Sequence, residues 1–293
     1  MVAQIRQYLK LGLMVIMSII GSALPFILVA PIIRVAYKNH SRIAFWLAFT
    51  IGVIFLVLVG LVPIAISLMC ITLLIGLFSE IFEKFKKLFI AGFIAVSVSS
   101  LTTILATQQW LIYKGTNLTT RLHEQIQIIL KQAQQMNSSV KLDPEVLVSQ
   151  APSVLVALLV LSLALALIFE LPITKLMKLP IEKVEHLNLL NFKLPEGFIW
   201  IAMISFLFSF IDVGSKPLSM TATNIINVMV VLYFLQGLAV IETFFVALKL
   251  GFLVRFMTYV VFLIQLFFLV AAIGLIDFWV EFRKRFVRIR LNP

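Results

Sequence analysis

Apolar runs broken by short clusters of basic and turn-forming residues dominate the chain from Leu11 to Ile276. A helix needs ~20 apolar residues to cross a hydrocarbon core of ~30 Å, and it satisfies its own backbone polar groups on the way. The pattern predicts an all-α, polytopic transmembrane helical bundle of about eight spans, at residues 11–33, 43–59, 61–78, 88–113, 151–169, 198–213, 221–247 and 256–276, with seven to nine tolerable. Gly60 and Pro63 turn the chain tightly between the second and third. The sixth is the shortest, reaching only ~24 Å at 1.5 Å per residue, and is the candidate for a re-entrant segment.

Two segments outside the runs have their own pattern. From Leu118, positions Leu122, Ile126, Ile129, Ala133 and Met136 recur at helical steps, with Arg121, Glu124, Gln125, Gln132 and Gln135 on the other face. This predicts an amphipathic helix, followed by a short one that Asp143 caps and Pro144 opens. The pair forms either a lid over a cavity or a surface element lying on the membrane or on its neighbours. Residues 171–197 carry Leu-Pro pairs at 171, 179 and 194 with Lys175, Lys178, Lys183 and Lys193 between them, an interfacial connector pattern. At the start, Arg6 and Lys10 before an apolar run with Gly21 and Ala23 imitate a signal peptide, but the run continues to Ile33 and reads as an uncleaved span.

Composition narrows the picture. With 293 residues, 62% of them hydrophobic, and a mean hydropathy of +1.11, there is no room for a sizeable water-soluble domain. One integral membrane domain over residues 1–293 is expected, with an amphipathic insert at 114–150 and a basic C-terminal tail at 281–293. The net charge of +11 would point to nucleic acid in a soluble protein, but here Lys and Arg sit in short loops and the tail, where they meet anionic headgroups. Eight crossings divide them evenly between the two sides, which is not how membrane proteins orient. A short helical hairpin at 11–33, broken between Gly21 and Pro25, together with a sixth segment that does not cross, puts three quarters of them on one side. Both termini are then cytoplasmic, as Arg283, Lys284, Arg285, Arg288 and Arg290 after the last span also demand.

No phosphate-binding loop, nucleophile elbow or metalloprotease helix is present, and no catalytic residue, cofactor or metal is expected. His40, His123 and His186 are expected as ordinary histidines in loops outside the spans, and the lone Cys70 reads as a small buried apolar residue. Polar groups inside spans are costly and therefore informative. In the seventh span Asn224, Asn227 and Glu242 fall within about 60° of one another at 100° per residue, with Gln236 opposite. This stripe is either a solute path or a set of interhelical hydrogen bonds, with Gln265 and Asp212 as candidate partners. Glu170 reads as an ordinary interfacial acid. Ala91, Ala95, Ser99, Thr103 and Thr107 place a small residue at every fourth position of the fourth span, a stripe that lets another helix approach closely. Asp277, Trp279, Arg283, Lys284 and Arg285 form a candidate membrane anchor, the acid being within reach of the basic residues one turn or more beyond.

Pro195 and Trp200, the Asn224 and Asn227 helix, Tyr233 through Gln236, Gly237, Leu238, Ala239 and Val240, and the closing Gly274, Leu275, Asp277, Trp279, Phe282, Arg283 and Lys284 resemble the YybS-like family of bacterial inner-membrane proteins. Pro31, Arg34, Gly60, Pro63 and Gly76 are compatible with the same family. The resemblance implies a fold similar to the substrate-binding membrane subunits of energy-coupling-factor transporters, a six-helix core around a small molecule, and a docking surface for a partner driven by ATPases. The insert at 114–150 and the extra spans depart from that pattern, and Ser18 and Ser22 are the nearest match to the docking motif.

Two readings follow. In the first, the chain is a non-catalytic solute-binding or uptake subunit whose partners are membrane lipids, a small-molecule solute and a coupling subunit or other membrane protein. In the second it is a membrane scaffold or assembly protein recruiting partners through the 114–150 insert and the basic tail.

Overall fold

The computed structural model describes residues 2–22, 29–136, 143–180, 192–211 and 215–285. All the regular structure among them is helical. Four helices, Val62–Phe85, Leu88–Tyr113, Ala151–Leu176 and Lys216–Ala247, are long and apolar enough to cross a membrane, and four shorter apolar ones lie at Tyr8–Ser22, Arg42–Leu58, Gly197–Ser209 and Phe267–Val280. Each stretch expected from the sequence overlaps one of these eight helices. The chain divides into two compact units, Met1–His186 and Leu187–Pro293.

The first unit holds α1 (Val2–Ser22), α2 (Ala30–Asn39), α3 (Arg42–Leu58), α4 (Val62–Phe85), α5 (Leu88–Tyr113), α6 (Leu118–Met136), α7 (Pro144–Ser149) and α8 (Ala151–Leu176). Residues 11–33, expected as one span or a broken hairpin, are two helices. Their connection between Gly21 and Pro25 lies largely outside the described residues. Pro31 opens α2, where a missing N–H costs nothing. Lys10 Nζ donates to the carbonyls of Met177 at 3.5 Å and Lys178 at 3.3 Å, so the first turns of α1 sit beside the end of α8. Lys38 near the end of α2 meets Glu83 near the end of α4 at 3.3 Å, and Arg42 at the start of α3 meets the same carboxylate at 2.5 Å. The basic residues of α2, α3, α4 and α8 therefore gather at one end of the unit.

Local signals set the turns. Ser41 caps α3 by accepting the Ala44 N–H at 3.3 Å. Gly60 takes φ +84° between α3 and α4. At the end of α5, Gly115 sits at φ +78° while Gly115 N–H bonds to the Ile112 carbonyl at 2.9 Å and Thr116 N–H to Leu111 at 3.0 Å, a Schellman closure that turns the chain back into α6. Ile33, Phe45, Phe49, Leu68, Leu74, Ile75 and Phe78 are wholly buried and form the centre of this unit. Gly76 admits the Trp46 indole, which would lie 2.4 Å from a Cβ added there.

The second unit holds α9 (Gly197–Phe210), α10 (Lys216–Ala247), α11 (Phe252–Ile264) and α12 (Phe267–Val280). At 32 residues α10 is ~48 Å long, well beyond a hydrocarbon core. It packs against α9, with Ser209 and Thr223 hydroxyls 3.3 Å apart, and most extensively against α12. The α10–α12 crossing brings backbones into contact: a Cβ on Gly237 would lie 2.0 Å from the Val270 carbonyl oxygen, and one on Gly274 2.0 Å from that of Tyr233. Phe234 stacks on Phe267 beside it, ring centroids 4.4 Å apart. The last expected span, 256–276, is not continuous. It breaks at Gln265 and Leu266 into α11 and α12, and α12 lays Gly274 on α10.

Candidate functional site

The most buried charges among the described residues lie in the first unit. Arg34 sits in the middle of α2, whose residues are nearly all buried although its sequence is only weakly apolar. Its Nε donates to Glu170 Oε2 on α8 at 3.2 Å, with the two side chains 0% and 3% exposed. Arg34 Nη1 donates to Ser79 Oγ on α4 at 2.5 Å, and Ser79 in turn donates to the Ile75 carbonyl at 2.6 Å. The guanidinium also lies over the Phe78 ring, 5.4 Å from its centroid. One cation thus ties three helices together.

Hydropathy alone makes Glu170 interfacial, because it follows the last residue of an apolar run. The structure corrects this. The helix does not stop at Phe169 but continues through Pro172 to Leu176, which also removes 171–176 from the expected connector. Glu170 is thereby carried inside, where Arg34 compensates the charge. The one signal in the sequence was Arg34 itself, a charge just after an apolar run that looks like a finished span.

A second charged cluster lies toward the basic end of the same unit. Glu83 receives both Lys38 and Arg42, and Trp46 Nε1 donates to Glu80 at 2.7 Å. His40, expected as an ordinary loop histidine, is buried there, with Nδ1 2.9 Å from the Ala36 carbonyl. His123 lies on α6 rather than in a loop, 2.9 Å from Gln127, and His186 is outside the described residues.

The small-residue stripe of α5 faces its own unit. Ala91, Ala95 and Ser99 are wholly buried, and α5 packs mainly on α4 and then on α8. Thr103 is half-buried and donates to the Ser99 carbonyl at 2.6 Å. Where the stripe opens, Thr103, Thr107 and Trp110 of α5 line a half-open cleft of about 170 Å³ with Pro63, Ser67 and Cys70 of α4. Cys70 is buried and forms no disulfide.

In the second unit each polar residue of the expected stripe has its own partners. Asn224 donates to the Met220 carbonyl of its own helix at 2.9 Å, and Asn227 is half-buried nearby. Glu242 accepts from Arg255 Nη1 at 2.9 Å and from the Tyr259 hydroxyl at 2.6 Å, while Arg255 also caps the end of α10 by donating to the Phe245 and Leu250 carbonyls. Gln265 is exposed at the α11–α12 break, so it is not a partner for the stripe inside a span. Asp212 lies outside the described residues. Gln236, opposite the expected stripe, is the cross-link: 2% exposed, it accepts the Leu194 N–H at 2.9 Å and donates to the Gly274 carbonyl at 2.9 Å.

At the end of α12, Asp277 is 3% exposed and pairs with Arg283 at 3.0 Å, the chain reversing through Glu281 at φ +49°. Trp279 is exposed beside it, and Lys284 pairs with Glu281 at 2.7 Å. That hydrogen bond holds the Glu281 carboxyl below the usual carboxylate range. Arg288 and Arg290 lie outside the described residues.

Charged side chains among apolar helices are costly and are paired where they occur. Residues 9–278 match the family described as predicted membrane protein (DUF2232). The chain belongs to that family. No curated protein and no solved structure matches it. This DUF2232 protein is therefore a multi-pass membrane protein embedded in lipid, and its buried polar centres are described by its own geometry.

Proposed function

We propose that the protein is a non-catalytic, solute-binding subunit for uptake across a bacterial cytoplasmic membrane, with Arg34, Ser79 and Glu170 at the centre of its site. The observation that carries this reading is the buried pair of Arg34 and Glu170. Desolvating two charges usually costs more than their attraction returns, so an apolar pair of the same volume would serve packing as well or better. Charges kept inside a membrane bundle mark pathways and binding centres. Buried hydroxyls of Ser18 on α1, Tyr37 on α2 and Thr72 on α4 have no hydrogen-bond partner among the described residues and offer further polar contacts in the same unit. The resemblance to the YybS-like family, which implies a fold similar to energy-coupling-factor substrate-binding subunits, supports the same reading and adds a coupling subunit as partner. By the excess of Lys and Arg, the end of the first unit holding Lys38, Arg42, Lys84, Lys86, Lys87 and Lys175 is cytoplasmic, and the 114–150 insert faces the other side.

The test is native mass spectrometry of the protein purified from its host in mild detergent, beside an Arg34→Met, Glu170→Met double variant that keeps volume and removes both charges. A stoichiometric non-lipid mass on the wild type that the folded double variant loses supports the proposal. Only lipid on the wild type, or the same mass on both, overturns it in favour of the scaffold reading.

A further inference from the structure

The sequence predicts that Leu122, Ile126, Ile129, Ala133 and Met136 form the apolar face of α6, and the structure packs protein against only part of it. These five residues fall within an arc of about 80° at 100° per residue. Leu130, beyond one edge of the arc, is the buried residue of α6, and α7 is its main packing partner. Along the other edge Ile129 is 61% and Met136 89% exposed, with Leu122 and Ile126 half-buried between. An amphipathic helix of 19 residues thus leaves two of the five residues of its apolar stripe largely uncovered.

The place of α6 in the fold says what covers it. The Schellman closure at Gly115 reverses the chain, and the Leu118 N–H bonds to Gln108 Oε1 of α5 at 3.0 Å. The first turn of α6 is therefore held beside a turn of α5 some five residues short of its end, about 7 Å back along the axis. The residues of α5 around that level, Leu105, Ile112 and Tyr113, are themselves exposed apolar side chains on a membrane-spanning helix. The start of α6 is thus fixed to the stretch of α5 that carries these exposed apolar side chains. The opposite face carries exposed Arg121, Glu124 and Lys131, with Arg121 and Glu124 paired at 3.0 Å. A charged outer face beside a strong apolar stripe, on a helix too polar overall to enter the hydrocarbon core, makes an interfacial helix.

We propose that α6 lies on the lipid surface of the leaflet at the far end of α5, with Ile129 and Met136 inserted among headgroups and upper acyl chains. The hairpin of α6 and α7 is then a membrane-apposed collar rather than a free docking arm, and this holds wherever a solute binds.

The experiment is spin labelling of the full chain in nanodiscs of phosphatidylethanolamine and phosphatidylglycerol, in a Cys70→Ala background. Ile129→Cys and Met136→Cys report on the open edge, Glu124→Cys and Lys131→Cys on the charged face, and Leu105→Cys is the lipid-facing reference. The expected result is that labels at 129 and 136 collide with dissolved oxygen in preference to a water-soluble nickel chelate, with a ratio like that at 105. Labels at 124 and 131 show the reverse. Nickel access at 129 and 136 equal to that at 131 overturns the proposal, as does protection from both reagents, which means a protein cover. Dipolar broadening at 129 or 136 that disappears on dilution with unlabelled chains assigns the edge to a second copy and overturns it equally. All five positions are exposed, so the labels leave the packing intact.

Discussion

Replacing Gly274 by alanine tests how the second unit is held together. The added Cβ would lie 2.0 Å from the Tyr233 carbonyl oxygen and 2.7 Å from the Gly237 nitrogen, both backbone atoms that no rotamer change can move. A carbon and an oxygen settle at ~3.3 Å or more, so α12 must retreat from α10 by ~1.3 Å. The Gln236 to Gly274 bond, 2.9 Å long, would stretch to ~4 Å and cease to be a hydrogen bond. Gln236 is 2% exposed, so its freed amide has no access to water. Displacing packed helices costs ~1–3 kcal/mol, and leaving a buried amide unsatisfied costs ~1–3 kcal/mol, nearer ~1 in a membrane protein. The expected loss is ~2–5 kcal/mol. It can be read from unfolding of the micelle-embedded protein by titrated sodium dodecyl sulfate, with tryptophan emission as the signal. Gln236→Leu loses only the hydrogen bonds and so costs less, and adding Gly274→Ala to it costs less than the two separately, because they share a partner. A loss under ~0.5 kcal/mol for Gly274→Ala would mean that the close crossing is not what holds α10 to α12.

Removing one partner of the ion pair in the first unit should be worse than removing both. Glu170→Ala is expected to lower stability by ~3–5 kcal/mol, and the Arg34→Met, Glu170→Met pair to recover much of that, measured by the same unfolding titration. Gly76→Leu should displace the Trp46 indole and break its bond to Glu80, seen as a red shift and easier quenching of the Trp46 contribution to emission. Asp143→Ala removes the cap that accepts the Glu145 N–H at 2.9 Å and should raise amide exchange in α7 by the equivalent of ~1 kcal/mol. Because Lys284 lowers the Glu281 carboxyl, Lys284→Ala should let it titrate at a higher pH, toward the ordinary glutamate value, in a carboxyl NMR titration.

The helical membrane class was legible because it needs only length and apolarity: no tertiary contact is required to see that residues 88–113 or 221–247 seek lipid. The turns were legible for a similar reason. Gly60 and Pro63, and Asp143 with Pro144, act on their own backbone, and the structure places a turn and a capped helix there. The partners of polar side chains were not legible. Helical periodicity puts Asn224, Asn227 and Glu242 on one side of α10 and Gln236 on the other, but it could not say which side meets a neighbour. The neighbour came to the Gln236 side, because Gly237 and Gly274 let the backbones touch there and α10 has no other glycine. Glu170 failed for a related reason, since a helix end read from hydropathy alone misses a turn that tertiary charge pairing makes tolerable.

The sequence by itself determined what depends on one helix at a time: the lipid environment, the apolar segments, the amphipathic insert and the basic ends. Tertiary structure alone decided what depends on two helices at once: the Arg34 to Glu170 pair, the glycine crossing of α10 and α12, and the partly covered stripe of α6. Hydrophobic transfer is additive along a chain and can be summed from residues, whereas a hydrogen bond or a close crossing exists only between surfaces whose approach no single segment specifies.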